Sequence, residues 1–285
     1  MKDLTIVILQ YNGTDLTKAL LKSIYDKEKA YLQDYQLLLI DNQSPEGDEF
    51  EYFRSHYPEI RLEKNDKNYG FANGLNPHLK EITTKYTLLI NNDAELLNPA
   101  IHLTLSFLRK TDYDGATCSM LDANGHKTDN FSTNCSPYFR FFVNTFGITK
   151  LFVETVKRLK LTARVKFIHG GFLMLKTQAF KDVNYFCTNY FMYTEDQDLM
   201  IKLGKKGKKL YYVPKAEIVH YDGVSSAKVW SNDEKMTLQL NQTMDCYERH
   251  YGKRGLFFYR ALMKLKLTLK NKKYVQVIKD YKPKS

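Results

Sequence analysis

The stretch Tyr86–Leu96, YTLLINNDAEL, decides the fold class of this chain. Its first five residues, 86–90, form a short apolar run typical of a buried strand. The run ends in the polar residues 91–93, and polar groups just beyond a parallel strand lie where open α/β sheets bind ligands. The stretch therefore predicts a parallel strand that ends at a binding site. A plain turn leading to a helix near Pro99 would give the same pattern.

Predicted strands and helices alternate around that stretch. The predicted strands are residues 4–9, 36–40, 60–63, 86–90, 116–121 and 166–175, and the predicted helices are 16–32, 50–57, 72–83 and 101–109. This alternation indicates an α/β fold with a mainly parallel sheet and helices on both faces. Residues 122–164 are aromatic-rich without a regular period, which predicts an irregular insertion. Two further helices are predicted at 232–251 and from Leu256 to about Tyr281.

Two other segments carry polar groups in exposed positions. In FMYTEDQDL, 191–199, a β-type aromatic run precedes Glu195 and Asp196 at a predicted helix start, with Thr194 as its cap. In AEIVHYDGVSS, 216–226, an apolar run ends in His220. Alone, each has a plain explanation, because acidic residues favour the first turn of a helix and a single histidine is common in loops.

Taken together and in this order, the segments resemble glycosyltransferase family 2, the inverting nucleotide-sugar transferases of GT-A fold. The resemblance covers about residues 4–226, and four more segments carry it. LTIVILQYN (4–12) resembles the first strand and nucleotide loop, LLLIDNQSPEG (37–47) the second strand, NYGFANGLN (68–76) the N-x-G-F-A-x-G-x-N signature, and HGGFLMLKTQAF (169–180) the strand before the acidic motif. The absence of a Q-x-x-R-W motif disfavours a processive polymer synthase.

The resemblance implies a role for each polar position. The nucleotide-sugar donor would be contacted by Tyr11, Asn12, Asp41, Asn68, Gly70, Asn73, Asn92 and Asp93. Asp41 would hold the nucleobase, and Gly70 would let the backbone approach the nucleotide closely. Asp93 and His220 would hold Mn²⁺ or Mg²⁺, which accept oxygen ligands and, for Mn²⁺, imidazole. The first acidic position of the family's metal-binding triplet is here the amide Asn91.

The acidic motif would supply the proton-transfer chemistry. The resemblance makes Asp196 the general base for the acceptor hydroxyl, and Glu195 the group that orients the acceptor. Asp198 is a rival base, but two positions further along a helix it is expected to point away.

The composition and charge of the chain limit its possible location and partners. The chain has 285 residues, 43% of them hydrophobic and 26% charged, as in globular proteins. No apolar run of membrane-spanning length occurs, and four cysteines without C-x-x-C spacing favour a reducing cytoplasm. The whole chain has a net charge of +11, and residues 253–284 alone contain eleven basic residues and one acid. This segment predicts binding to an anionic membrane surface, at the inner face of the cell membrane.

The sequence thus predicts a GT-A catalytic domain at 1–231, with a donor-binding half (1–115) and an acceptor half (116–231), followed by a basic helical extension at 232–285. The expected reaction is inverting, metal-dependent transfer of one sugar, with rhamnose as one candidate, to a glycan or lipid-linked saccharide of bacterial surface polysaccharide. Alternatives are a UDP-hexose, UDP-galactofuranose or UDP-N-acetylhexosamine donor, or a non-catalytic glycan-binding relative. Nucleic acid is not an expected partner, because the remainder of the chain is nearly neutral.

Overall fold

The computed structural model describes residues 2–45, 50–128, 130–132, 148–221, 231–270 and 272–281. Eleven strands occur in these ranges: β1 (Leu4–Gln10), β2 (Tyr35–Asp41), β3 (Arg61–Lys64), β4 (Tyr86–Asn91), β5 (Ala94–Leu96), β6 (Gly115–Leu121), β7 (Phe131–Ser132), β8 (Ala163–Val165), β9 (Phe167–Ile168), β10 (Phe172–Lys176) and β11 (Leu210–His220). Nine of them form one sheet, whereas β7 and β9 pair separately.

The large sheet is mainly parallel, as the sequence predicts. Its strand order is β3-β2-β1-β4-β10-β6-β11-β5, with β8 paired to β11. Strands β3, β2, β1 and β4 are parallel to one another, and so are β6 and β11. Strand β10 lies antiparallel between β4 and β6, while β5 and β8 run antiparallel to β11. The carboxyl ends of β4 and β11 therefore lie at the same edge of the sheet.

Nine helices accompany the strands in the described ranges. They are α1 (Thr14–Lys27), α2 (Phe50–His56), α3 (Gly70–Glu81), α4 (Ala100–Arg109), α5 (Ile148–Arg158), α6 (Thr177–Asp182), α7 (Glu195–Lys205), α8 (Asn232–Lys270) and α9 (Val275–Asp280). Alternate residues of β1 face opposite cores: Ile6 packs in the cluster that includes Leu20 of α1, and Val7 in the cluster that includes Leu75 of α3. Helices consequently cover both faces of the sheet.

Two predicted segments differ from the structure. Residues 166–175 are not one strand but β9 and β10, separated by a turn at Gly170 and Gly171. The region 122–164 is not wholly irregular, since it contains β7, α5 and the start of β8. Most of its aromatic residues, within 133–147, lie outside the described residues, and the turn after His220 does too.

The C-terminal helices also differ from prediction. Helix α8 is interrupted at Gly252, whose φ of 67° is left-handed, and this break separates the two helices that the sequence predicts. The second part does not continue to Tyr281. It ends at Lys270, and after a short turn α9 folds back so that Leu256 and Leu267 pack with Ile278 in one apolar cluster. No helix in the described ranges is long and apolar enough to span a bilayer.

Candidate active site

A carboxylate, an imidazole and an amide meet at the edge of the sheet where β4 and β11 end. His220 Nε2 lies 3.1 Å from Asp93 Oδ1 and 3.2 Å from Asn91 Nδ2. Both Asp93 and His220 are buried, with 7% and 5% of their surfaces exposed. Backbone pairing fixes this arrangement, because His220 pairs with Ala94 of β5 and the Tyr221 N–H donates to the Asp93 carbonyl.

The donor atoms of this group fit a divalent cation. Asp93 Oδ1 is buried and accepts no hydrogen bond of good geometry from the described residues. In the tautomer that carries its proton on Nδ1, the lone pair of His220 Nε2 lies beside the Asp93 oxygen as a second acceptor. Two adjacent buried acceptors favour a bound cation. One carboxylate oxygen and one imidazole nitrogen suit Mn²⁺, and the oxygen also suits Mg²⁺.

Asn91, rather than Asn92, belongs to this group. Successive side chains at a strand end point to opposite faces. Asn92 accordingly points to α1, where its Nδ2 lies 3.2 Å from both the Gly13 carbonyl and Thr17 Oγ1. Asn92 therefore makes a buried contact that fixes the start of α1, and its predicted donor contact stays a prediction. Asp93 and Asn91 are two positions apart, and the alternation of side chains in a strand places such residues on the same face. This spacing is the feature of the sequence that indicates their proximity.

His169 is a further histidine of the site that the sequence prediction did not include. Its ring centroid lies 5.7 Å from that of His220, edge to face. The Gly171 N–H donates to His169 Nδ1 at 3.2 Å, which orients the ring. Gly171 also packs against the other imidazole: a Cβ placed there would lie 3.1 Å from His220 Nε2. The turn between β9 and β10 thus holds two imidazoles at the same edge of the sheet.

The predicted nucleotide loop is braced by Asp41. The carboxylate of this buried residue accepts hydrogen bonds from the Ser44 hydroxyl at 2.5 Å and from the Ser44 N–H at 3.1 Å. Ser44 Oγ in turn accepts from the N–H of Asn12, whose φ is 51°. Asn12 Oδ1 is buried without a hydrogen-bond partner among the described residues, and Tyr11 is half-buried. Asn12 therefore offers an acceptor to a ligand, whereas Asp41 also shapes its own turn.

Asn42 organises the segment that begins at Asn68. Its Nδ2 donates to Asn68 Oδ1 at 2.9 Å and to the Gly70 carbonyl at 3.0 Å. Asn68 Oδ1 also accepts from the Gly70 N–H at 2.9 Å. Asn73, a predicted donor contact, instead donates to the Thr188 carbonyl at 3.0 Å. This contact ties α3 to the segment before the acidic motif.

The close approach at Gly70 is made to the Phe191 carbonyl, and its predicted contact with a nucleotide stays a prediction. Gly70 has a φ of 74°, and a Cβ placed on it would lie 2.0 Å from the Phe191 carbonyl oxygen. The adjacent Phe71 N–H donates to the same oxygen at 2.9 Å. A glycine is needed here because an L side chain would occupy the space of that carbonyl. The start of α3 consequently positions the segment that leads to Glu195.

The segment before the acidic motif is bent rather than β-type. Tyr193 and Thr194 both have left-handed backbones, with φ of 66° and 71°. Thr194 precedes α7 but makes no capping hydrogen bond through its side chain, so the predicted cap is wrong. Two consecutive non-glycine residues of this kind store strain, which surrounding contacts must hold. They turn Glu195 and Asp196 into the first turn of α7.

Glu195 and Asp196 lie in different environments. Glu195 is buried, and its Oε2 has no hydrogen-bond partner in the described part of the chain. Burial, with the nearby charge of Asp196 as the second cause, raises the pKa of Glu195 to about 8. Asp196 is only half-buried and accepts from the Gln197 N–H at 2.6 Å. Burial therefore favours the protonated form of Glu195.

Asp198 is part of an ion-pair cluster with α8. It is 1% exposed, and its carboxylate oxygens lie 2.7 Å from His250 Nε2 and 3.4 Å from Lys202 Nζ. Burial alone would raise the pKa of Asp198. The His250 hydrogen bond and the Lys202 charge outweigh burial and leave this pKa below its usual value. Because this carboxylate already has two cationic or donor partners, it is poorly placed to act as a base.

A short chain of contacts joins the cation-binding group to the acidic motif. Gly171 touches the His220 ring, and a Cβ on the adjacent Gly170 would lie 3.9 Å from Phe71 Cζ. Phe71 is hydrogen-bonded through its backbone to Phe191, four residues before Glu195. The predicted cation ligands and the predicted acid–base pair are thus neighbours around α3 and the turn at Gly170.

Comparison with known proteins supports the sequence-level resemblance. The profile of the family described as "Glycosyl transferase family 2" matches residues 5–183. The rhamnosyltransferase WbbL of Escherichia coli K12 is 24% identical over 225 residues, which are 76% of this chain and 82% of that protein. A Mycobacterium tuberculosis N-acetylglucosaminyl-diphospho-decaprenol L-rhamnosyltransferase is 40% identical over 73 residues, but these are only 24% of that protein.

Solved structures show the fold. The mannosyltransferase PcManGT of Pyrobaculum calidifontis, in complex with GDP-Man and Mn²⁺, has a TM-score of 0.61 at 15% identity, over 97% of this chain and 73% of that one. Staphylococcus aureus TarS 1–349, in complex with UDP-GlcNAc, has a TM-score of 0.62 at 13% identity, over 96% of this chain and 75% of that one. The fold of this chain is accordingly GT-A.

Proposed function

Because the chain belongs to glycosyltransferase family 2, we propose that it transfers one sugar, with inversion, from a nucleoside-diphosphate-sugar to a hydroxyl of a glycan or lipid-linked saccharide. The single observation that carries this proposal is the buried contact of 3.1 Å between Asp93 and His220. It lies at the sheet edge, where open α/β folds bind ligands. Residues 195, 196 and 220 lie beyond the matched family profile, so their roles rest on geometry and resemblance.

Asp93 and His220 would hold a divalent cation, Mn²⁺ or Mg²⁺. Bound there, the cation would neutralise the negative charge that develops on the leaving diphosphate. The presence of Mn²⁺ in the PcManGT complex supports this role. Asn91, whose amide nitrogen lies 3.2 Å from the same imidazole nitrogen, would border the cation, and Asp93 would contact the donor through the cation.

Asp196 is the proposed base. The acceptor oxygen forms a bond to the anomeric carbon as the bond from that carbon to the diphosphate oxygen breaks, and the nucleoside diphosphate leaves with the electron pair. The hydroxyl proton passes to the Asp196 carboxylate. The raised pKa of Glu195 supports this division, because paired carboxyl groups with different pKa values serve different roles. Protonated Glu195 would donate a hydrogen bond that orients the acceptor, and attack opposite the diphosphate inverts the anomeric centre.

Residues 1–115 would bind the donor and residues 116–231 the acceptor. The proposed nucleotide contacts remain those of the sequence analysis: Tyr11, Asn12, Asp41, Asn68, Gly70, Asn73 and Asn92. Rhamnose is the favoured donor sugar, because two of the relatives are named rhamnosyltransferases. The alternative is a UDP-linked sugar, which the TarS complex with UDP-GlcNAc illustrates for the same fold. Bacterial surface polysaccharide synthesis is the proposed pathway class.

A panel of nucleotide sugars tests the proposal. The purified chain is incubated with Mn²⁺ and dTDP-rhamnose, UDP-hexoses, UDP-galactofuranose, UDP-N-acetylhexosamines or GDP-mannose, and release of the nucleoside diphosphate is measured. We expect one donor to be hydrolysed slowly and to raise the melting temperature, since donor hydrolysis accompanies transfer when water replaces the acceptor. No hydrolysis and no thermal shift with any donor would contradict a catalytic function and favour a glycan-binding role.

The first prediction concerns Gly171. Alanine at this position would push the His220 ring by a few tenths of an ångström, because its Cβ would lie 3.1 Å from Nε2. We expect Gly171→Ala to weaken Mn²⁺ binding, titrated calorimetrically with the selected nucleoside diphosphate, by about 10–100-fold, as when residues that orient a ligand are changed. Gly170→Ala is the matched control, because only Phe71 Cζ lies near its Cβ, at 3.9 Å. Equal affinities for the two variants would exclude this supporting role.

The second prediction concerns membrane binding by the second part of α8. Phe257, Phe258 and Leu265 are 69%, 49% and 55% exposed, and basic residues lie beside them at Lys253 and Lys264. An exposed apolar stripe with flanking cations suits the headgroup plane of an anionic bilayer, at about 1 kcal/mol for each engaged cation. The opposite face packs on α9, so the stripe is not needed for folding of this unit. Such binding would place the enzyme at the inner face of the cell membrane.

Liposome sedimentation with the full chain measures this binding. We expect association with vesicles of phosphatidylglycerol and phosphatidylethanolamine, weakened by salt and lost when residues 257, 258 and 265 are changed to serine. Leu159→Ser is the control. Leu159 is also 55% exposed, but it lies between α5 and β8 and not on α8. Equal sedimentation with neutral and anionic vesicles, or none with either, would contradict membrane binding through charge.

A further inference from the structure

A second cavity lies outside the site described above. It has a volume of about 670 Å³, within the range of about 300–1,000 Å³ usual for small-molecule sites. Helices α8 and α9 form one wall, and residues 189 and 191, which precede the acidic motif, form the other. All of these elements lie beyond residue 183, where the family match ends. The match to the family therefore assigns no ligand to this cleft.

The lining of the cleft has the chemistry of a carbohydrate site. Asn189, Asn241 and Gln242 contribute carboxamides, which both donate and accept hydrogen bonds, as sugar hydroxyls do. The carboxamides of Asn189 and Asn241 have no hydrogen-bond partner within the described part of the protein. Phe191 is 37% exposed and offers an apolar ring face for the C–H groups of a pyranose.

Charge separates this cleft from the proposed donor site. Asp245 and Asp280 line it, and its lining includes no lysine or arginine from the described residues, which end at 281. The Asp245 carboxylate accepts a hydrogen bond from the Tyr281 hydroxyl at 2.5 Å, which holds it in an ordered position. Two carboxylates without a lining cation repel a diphosphate. The electrostatics therefore favour a neutral saccharide over the nucleotide part of a donor.

The wall of the cleft is continuous with the catalytic segment. Phe191 lies four residues before Glu195, and its carbonyl is fixed by the Phe71 N–H. With its amide nitrogen facing the backbone, Gln242 donates to the Met192 and Tyr193 carbonyls at 2.9 and 3.0 Å. A ligand in the cleft would thus contact the segment that carries the acid–base pair.

We propose that the cleft between α8–α9 and residues 189–191 binds the acceptor as a neutral saccharide, with Asn189 and Asn241 bonding its hydroxyls and Phe191 packing against a ring face. This proposal rests on the proposed transferase function. It gives the C-terminal extension a direct part in acceptor recognition, in addition to its proposed membrane contact. A lipid-linked acceptor would then have its carrier at the bilayer and its sugar in the cleft.

Saturation-transfer NMR on the full chain tests the cleft without requiring catalysis. The probes are the methyl glycosides of N-acetylglucosamine, glucose, galactose and rhamnose at millimolar concentration, because they carry no diphosphate and no lipid. We expect at least one to bind the wild type, Asn241→Ala to bind it about tenfold more weakly through loss of one polar contact, and Asn241→Trp to abolish binding by filling the cleft. Gln239→Trp, two residues away on α8 and outside the lining, should bind normally.

The outcomes separate this proposal from the proposed function. Donor hydrolysis should persist in Asn241→Trp, since this variant leaves the donor side intact, whereas transfer to any glycoside that is a substrate should be lost. If no methyl glycoside binds the wild type, or if Asn241→Trp binds as well as Gln239→Trp, the cleft is not the saccharide site. Failure of the wild type to hydrolyse any donor, with glycoside binding intact, would instead contradict the transferase function alone.

Discussion

Asp196→Asn is expected to reduce sugar transfer by about 10²–10⁴-fold, the contribution typical of a general base. Asparagine keeps the shape of the side chain and the oxygen that accepts from the Gln197 N–H, but it cannot take up the hydroxyl proton. Donor binding should be nearly unchanged, because Asp196 makes no hydrogen bond to Asp93 or His220 and asparagine has the same shape. The loss should therefore fall on kcat.

Steady-state transfer to a defined acceptor, together with donor binding by thermal shift, measures this effect. Glu195→Gln is an informative companion, because a glutamine resembles the protonated carboxyl that the raised pKa predicts at neutral pH. We expect Glu195→Gln to retain far more transfer than Asp196→Asn at pH 7. Undiminished transfer by Asp196→Asn would move the role of base to Glu195.

Gly70→Ala is expected to destabilise the protein and to lower transfer more than donor binding. The left-handed φ of 74° costs an alanine about 1–3 kcal/mol. A Cβ lying 2.0 Å from the Phe191 oxygen must also displace that carbonyl, which breaks its hydrogen bond from Phe71. Because Phe191 leads into the strained residues before Glu195, the acid–base pair would move with it.

Gly207→Ala is the matched control for Gly70→Ala. Gly207 has a φ of 71°, but a Cβ there would meet no atom within 4 Å. It should show the backbone cost alone, as a fall in melting temperature with normal transfer per folded molecule. If melting curves and kcat/KM values of the two variants coincide, the contact between Gly70 and Phe191 has no role in positioning the acidic motif.

The parallel half of the sheet could be predicted because each strand is a local apolar run followed by an amphipathic helix. The position of β10 could not, since its antiparallel insertion between β4 and β6 depends on pairings between distant segments. The turn at Gly170 and Gly171 splits a stretch that reads as one strand. Likewise, the return of α9 against α8 depends on tertiary packing of Leu256, Leu267 and Ile278.

Only part of the site could be predicted from the sequence, because some of its contacts join segments that are distant in the chain. Asp93 and His220 follow apolar runs, and a common sheet edge brings such strand ends together. The contact of Asn92 with the start of α1 was not predicted, because it joins segments that are distant in the sequence. Gly70 and Asn73 match a family signature, yet their partners Phe191 and Thr188 lie more than a hundred residues away, and such contacts leave no local signal.

Cation-dependent binding of a nucleoside diphosphate tests the Asp93–His220 site most directly. Melting temperatures would be measured with Mn²⁺, with the nucleoside diphosphate selected by the donor panel, and with both together. A ligand at one hundred times its Kd stabilises the folded state by about 2.7 kcal/mol. We predict this shift for the wild type and for His56→Ala, whose histidine is exposed at the end of α2, and its loss in Asp93→Ala and His220→Ala. A full shift in both site variants would contradict the proposed cation site.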